Sequence, residues 1–383
     1  MPFRDWTPEE KAGAHIMAGF PGTAAPPSLL ERIREGRVGG VILFTRNIES
    51  AEQTLELTHS LQLAAPSSRH PAPQLIGIDQ EGGRVSRISD DFTRFPAAGL
   101  FGRAGDPALT EEAARATGAE LRAVGVNLDF APVIDLLTNP ECTVIGDRAY
   151  GDEPGLVSVM GAAVIGGLQS EGVAASAKHF PGIGEMAPDP HETLPFCDLS
   201  PETLRERELA PFRAAFDRDL PGGGVASVLV AHAVYTKIDP GRPASISPRI
   251  VGNLLRKELG YAGLAVTDDL EMGAVEDSAE ASLASLLAGS DIALICHSEE
   301  KQERALELIA AAIRSGEIGS EAEELSLGRI GEAKARYGEP AGRYREKGRL
   351  ARLLGEMKGI VGRGAHRALA EEVAIRGEAR ESS

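Results

Sequence analysis

Short apolar runs rich in β-branched residues recur eight times along the 383 residues, and most are followed by a stretch with helical spacing. The runs cover 14–20, 39–44, 75–80, 126–132, 175–180, 227–233, 264–268 and 292–296. Several are almost wholly apolar, as strands buried on both faces of a parallel sheet must be. Helical patterns fall at 50–65, 109–124, 156–169, 201–217 and 248–259, and 299–316 sets Leu306, Ile309 and Ile313 on one face. Ser200-Pro201-Glu202 combines a capping side chain, a fixed φ and a favourable dipole charge at a helix start. Strand–helix units repeated eight times predict a closed α/β barrel of the (β/α)₈ type. An open doubly wound sheet would carry a Gly-x-Gly-x-x-Gly turn after an early strand, and none is present.

The strand pattern stops near Tyr337, and Gly338-Glu339-Pro340-Ala341-Gly342 reads as a breaker. The chain therefore divides into a barrel over 1–337 and a helical extension over 338–383. That extension is too short for a core of its own, and its end from Gly377 reads as a loose polar tail. The 57 acidic and 40 basic residues give a net charge of −17, which disfavours nucleic acid and anionic membranes as partners. No uncharged apolar stretch is long enough to span a bilayer, and the N-terminus runs straight into Glu9, Glu10 and Lys11 without the apolar core of a signal peptide. Cys142, Cys197 and Cys296 are scattered and odd in number, which suits a reducing compartment, so the expected location is cytoplasmic. The pattern assigns no oligomeric state.

In such a barrel, reactive groups stand on the loops after the C-terminal ends of the strands. Strand three ends in Asp79-Gln80-Glu81-Gly82-Gly83-Arg84-Val85-Ser86-Arg87, and strand four leads to Asp135 and Val144-Ile145-Gly146-Asp147-Arg148. Strand five ends in Lys178-His179-Phe180-Pro181-Gly182, with Asp189-Pro190-His191 on its loop. Strand six ends in Ala231-His232 and strand seven in Thr267-Asp268-Asp269. A charged ring over apolar strands suits a sugar, whose hydroxyls need several fixed donors and acceptors. Neighbouring strand residues point to opposite faces, so Asp268 and Asp269 do not aim at one atom, and periodicity alone does not choose between them. No His or Cys set has ligand spacing and no phosphate loop is visible, so neither a metal nor an organic cofactor is expected.

Lys178-His179-Phe180-Pro181-Gly182-Ile183-Gly184-Glu185, with Asp189-Pro190-His191 and Leu194-Pro195 behind it, resembles the signature of glycoside hydrolase family 3. It looks closest to the bacterial β-N-acetylglucosaminidases of peptidoglycan recycling. The strand-three motif, Val144-Ile145-Gly146-Asp147-Arg148 and Thr267-Asp268-Asp269-Leu270-Glu271-Met272 match further motifs of that family in the same order, over about residues 10 to 335.

The resemblance implies a retaining hydrolase of terminal β-linked N-acetylglucosamine. In it Asp268 is the nucleophile, His191 the acid/base and Asp189 the carboxylate that polarises it, while Asp79, Arg87, Arg148, Lys178 and His179 hold the sugar. The chemistry agrees. Retaining hydrolysis sets a nucleophile on one face of the ring and a proton donor on the other, and imidazole both donates and accepts near neutral pH. Residues 189 and 191 are one residue apart, so an extended loop points both at one site.

Three positions depart from the family pattern. Ile183 stands where a second His is usual, Glu185-Met186 where Asp-Thr is usual, and Pro190 where a Ser is usual. Glu185 keeps the charge with a longer reach, and Pro190 stiffens the loop. The segment 365–373 resembles the helix that leads into the second domain of longer members. Three other readings share these residues: a phosphorylase using phosphate in place of water, a β-glucosidase, and a sugar-binding relative without turnover.

Overall fold

The computed structural model describes residues 3, 5–65, 73–186, 195–220, 223–273, 275–339 and 344–381. Eight parallel strands close into a barrel: β1 (Ile16–Ala18), β2 (Gly40–Leu43), β3 (Leu75–Ile78), β4 (Leu128–Asp129), β5 (Ala174–Phe180), β6 (Ser227–Val230), β7 (Leu264–Asp269) and β8 (Ile292–Ile295). Each pairs with its neighbours in sequence, and β8 returns to β1 through Ile16–Ala293, Met17–Leu294 and Ala18–Ile295. Each of the eight expected runs contains or overlaps one strand.

Met17, Ile42, Leu75, Leu128, Phe130, Leu229, Val266 and Leu294 pack together inside the barrel. Gly77 makes room for this packing, because a Cβ there would lie 2.9 Å from the ring of Phe130. Ile330, Ala333 and Tyr337 of the helix Ser320–Tyr337 join the same cluster and close one end. The filled interior makes the barrel a solid support rather than a pore, so function falls to the open end.

Asp291, at the start of β8, is a buried anchor. It accepts from Arg256 Nη2 at 2.6 Å, from Arg329 Nε at 2.9 Å and Nη2 at 2.7 Å, from Ser326 Oγ at 2.7 Å and from Ala265 N–H at 2.9 Å. Burial opposes its ionisation, but Arg256 and Arg329 outweigh that and hold its carboxyl below the ordinary carboxylate range.

Two expected elements differ. The 201–217 stretch is not one helix: a wide turn over Leu204–Glu208, closed by Leu209 N–H on the Leu204 carbonyl, separates Pro201–Thr203 from Ala210–Ala215. It brings both Arg207 and Glu208 to the loop after β5. The segment from Gly377, expected to be a loose tail, instead continues the helix Gly364–Glu381. Gly377 is buried against Leu100, and a Cβ there would come within 2.6 Å of the leucine side chain, so the absence of one permits the contact. No helix among the described residues is long and apolar enough to cross a membrane.

Asp291→Ala leaves two guanidinium groups without their buried carboxylate. The expected cost is about 3–5 kcal/mol of unfolding free energy, seen as a lower denaturant midpoint at unchanged slope. A loss below about 1 kcal/mol would show that Asp291 is not an anchor.

Candidate active site

The C-terminal strand ends open into a cavity of about 480 Å³. Asp79, Arg87, Arg148, Lys178, His179 and Asp268 all line it, although they come from four separate stretches of chain. Asp189, Pro190 and His191 lie outside the described residues.

Strand alternation delivers the central group. Ala174 of β5 faces the barrel interior, so Ser176 and Lys178 follow it inward. The Lys178 ammonium, 2% exposed, sits 2.8 Å from Asp79 Oδ1 and 2.6 Å from Glu81 Oε1. Glu81 in turn takes both prongs of Arg148, Nε on Oε2 and Nη2 on Oε1, each at 2.7 Å. Burial opposes charge on all three, yet the attraction between these cations and the carboxylates of Asp79 and Glu81 wins. Lys178 and Arg148 are held above their ordinary values, and Glu81 is pulled down to about 2.

The network continues to His179, joined to Lys178 by a cis peptide bond. Arg148 Nη2 lies 3.3 Å from His179 Nε2, and a guanidinium only donates, so Nε2 accepts. The ring proton then sits on Nδ1, where Asp135 Oδ2 accepts it at 2.7 Å. Asp135 also accepts the backbone N–H groups of His179 at 3.1 Å and Ile183 at 2.8 Å, which pins the start of the loop after β5. Arg87 is placed through its backbone: its N–H donates to Gln80 Oε1 at 3.0 Å, and Gln80 N–H donates to Asp129 Oδ1 at 2.9 Å. Its side chain lies 3.7 Å from Asp79 Oδ2 and over the ring of Phe44.

At the end of β7 the two aspartates differ. Asp269 accepts from the N–H groups of Glu271 at 3.1 Å and Cys296 at 3.3 Å, faces His297 Nε2 at 3.3 Å, and is pushed above the ordinary carboxylate range by burial. Asp268 accepts only the N–H of Asp269, at 2.9 Å, and makes no ion pair among the described residues. His232 has both nitrogens engaged. Nε2 donates to the Asp269 carbonyl at 3.0 Å, leaving Nδ1 to accept from Ser245 Oγ at 2.7 Å.

Several of these residues had no assigned role in the sequence. Glu81 and Asp135 stand inside or beside the quoted motifs, but only their partners reveal what they do. Glu185 is tied down by Arg207 Nη2 at 2.6 Å and by Thr138 Oγ1. Glu208, 1% exposed, takes Arg207 Nε at 2.7 Å, and burial pushes its carboxyl up to about 7. Ile183 packs against the apolar patch of Val133, Cys142, Ile145 and Ala149.

The family model for the glycosyl hydrolase family 3 N terminal domain matches residues 16–332. The chain belongs to glycosyl hydrolase family 3. A beta-hexosaminidase of Methylobacillus flagellatus is 37% identical over 300 residues, covering 76% of this chain and 82% of that relative. The beta-hexosaminidase A of Pseudoalteromonas piscicida is 34% identical over 339 residues, covering 82% of this chain; the match spans 56% of that longer relative. A family 3 beta-N-acetylglucosaminidase from Paenibacillus sp. str. FPU-7 superposes with a TM-score of 0.87 at 37% identity, over 97% of this chain and 69% of that one. The glycosidase barrel thus carries its charged network at the strand ends.

Because the Glu81 pKa is depressed on folding, its contribution is full above its ordinary 4.5 and is lost as the pH falls towards about 2. Glu81→Gln should lower stability at neutral pH and flatten the loss of stability between those two values. An unaltered acid limb in pH-dependent denaturation would contradict the ionised network.

Proposed function

We propose that this chain is a retaining exo-β-N-acetylglucosaminidase that removes terminal β-linked N-acetylglucosamine from peptidoglycan- or chitin-derived fragments through a covalent glycosyl–enzyme. The observation that carries the reading is Asp268, free of ion pairing among the described residues, in one cleft with Asp79, Arg87 and Lys178. The relatives named beta-hexosaminidase support the choice of sugar.

The Asp268 carboxylate attacks the anomeric carbon while the bond to the leaving oxygen breaks, and that oxygen takes a proton from His191. Water then bonds to the same carbon, gives its proton back to His191 and releases Asp268. Asp189 holds the imidazolium form of His191 and fixes its orientation. Asp79 and Arg87 hold sugar hydroxyls, and Lys178, Arg148 and His179 keep that contact set in one fixed geometry. A site whose dipoles and charges are already paired reorganises little as positive charge grows on the ring, and that preorganisation is the main electrostatic source of rate. A reducing cytoplasm fits the three buried free thiols.

Asp268→Asn should lower turnover roughly 10⁴-fold or more on every substrate. His191→Ala should spare the first step on a nitrophenyl N-acetylglucosaminide, whose leaving group needs little protonic help, and slow the second. Mass spectrometry of that variant should therefore find a sugar adduct on Asp268. An adduct on Asp269 or Glu81 would overturn the assignment, and equal losses on good and poor leaving groups without an adduct would remove His191 from its role.

A further inference from the structure

We propose that the ion pair between Glu185 and Arg207 is a positioning contact for the acid/base step, because it fixes the point from which the chain runs on to Asp189-Pro190-His191. The inference rests on the acid/base role proposed for His191 above.

The chain leaving β5 is held residue by residue. Tyr235 Oη donates to the Gly182 carbonyl at 2.6 Å, Ile183 N–H to Asp135 Oδ1 at 2.8 Å, and Asn139 N–H to the Gly184 carbonyl at 3.1 Å. Gly184 lies so close to the connection after β4 that a Cβ there would come 1.8 Å from the Leu136 carbonyl oxygen. Glu185 continues the series through its side chain, whose Oε2 accepts from Arg207 Nη2 at 2.6 Å and from Thr138 Oγ1. Its carbonyl accepts from Asn139 Nδ2 at 3.3 Å. Glu185 thus joins the connection after β4, the chain after β5 and the wide turn at Leu204–Glu208. It does so four residues before Asp189 and six before His191.

Arg207 is placed as firmly from the other side. Its guanidinium is a planar fork that spans two carboxylates, with Nε on Glu208 Oε1 at 2.7 Å and Nη2 on Glu185. Glu208 is buried and packs against Gly182, where a Cβ would lie 3.1 Å from the glutamate Cβ. The turn therefore fixes Glu208, Glu208 fixes Arg207, and Arg207 fixes Glu185, 22 residues earlier in the chain. The longer side chain at 185, where the family pattern has Asp, supplies the reach to Arg207.

Two magnitudes separate positioning from stability. The side chains of Arg207 and Glu185 are 32% and 36% exposed, and an ion pair so open to water adds little to the unfolding free energy. A displacement of about 1 Å at a reacting group, by contrast, costs up to about a hundredfold in rate. Six residues of chain span up to about 20 Å, so releasing the anchor at 185 relaxes the constraint on where His191 can stand relative to the leaving oxygen. Loss of the pair should therefore be felt in one chemical step and hardly in the fold.

Glu185→Ala tests this, because it removes the tie, leaves the Arg207–Glu208 pair in place and should keep a thermal midpoint close to that of the wild type. On the disaccharide of two N-acetylglucosamines, whose leaving oxygen needs a proton, kcat/KM should fall about tenfold or more. On a nitrophenyl N-acetylglucosaminide kcat/KM should stay within about twofold. There kcat should drop as glycosyl–enzyme accumulates, because the second step still needs the base. Arg207→Gln should show the same split; should that variant fail to fold because it strands Glu208, Glu185→Ala still decides. Equal losses of kcat/KM on both substrates would make the pair a structural contact only, and an undiminished kcat/KM on the disaccharide would overturn the inference as well. His191→Ala, measured alongside, reads the assignment beneath it. A leaving-group split in His191→Ala without one in Glu185→Ala sinks this inference alone, whereas no split in either sinks the acid/base role of His191 too.

Discussion

One buried ammonium group, Lys178 Nζ, holds the working end of this barrel together. It joins β5 to the end of β3 through Asp79 and Glu81, and Glu81 passes the connection through Arg148 to His179 and Asp135. Taking an ion of this size out of water costs several kcal/mol, and only near-complete pairing offsets that cost. The pairing holds only while β3, β4 and β5 keep their register, Ile78 against Asp129 and Asp129 against Ala175. A one-residue slip would turn Lys178 out of the interior and strand the carboxylates. The same network that makes the site electrostatically rigid therefore also makes it intolerant of local rearrangement.

The two ends of the barrel use buried charge differently. Asp291 is fully enclosed by Arg256, Arg329, Ser326 and a backbone N–H, which leaves it nothing to offer a ligand. At the open end the pairing is complete only inside, and Asp268, Asp79 and Arg87 still face the cleft. The C-terminal extension reaches this end indirectly. Buried Glu120 accepts from His366 Nδ1 at 2.6 Å and from Gly362 N–H at 3.0 Å, and also from Thr93 through its N–H and hydroxyl. Thr93 belongs to the connection after β3, the stretch that also carries Glu81 and Arg87, so the extension braces the loop that builds the sugar side of the site.

The barrel was legible because several of its strands are almost wholly apolar and alternate with helical spacing, a pattern that survives without tertiary information. Asp79, Arg87, Arg148, Lys178, His179 and Asp268 were legible as a group because the family resemblance points to them and each stands at a strand end or on the loop that follows one, and their convergence on one cleft follows from closure of the sheet. The roles of Glu81 and Asp135 were not legible, since a buried carboxylate is defined by its partners and these lie tens of residues away in sequence; Glu208 pairs with the adjacent Arg207, but its burial depends on the wide turn that carries both. The wide turn at Leu204–Glu208 escaped because its apolar spacing is that of a continuous helix. The end of the chain misled for a similar reason. Gly377 among Glu and Arg reads as a frayed terminus, but that glycine is where the helix meets Leu100.

A carboxylate nucleophile that forms a glycosyl–enzyme implies two displacements and therefore an unchanged anomeric configuration. Proton NMR of a fresh hydrolysis mixture reads this directly on the first-formed N-acetylglucosamine. The β-anomer should appear first, with the α-anomer growing in only by mutarotation. An α-anomer formed first would mean direct attack by water, and Asp268 could not then be the nucleophile.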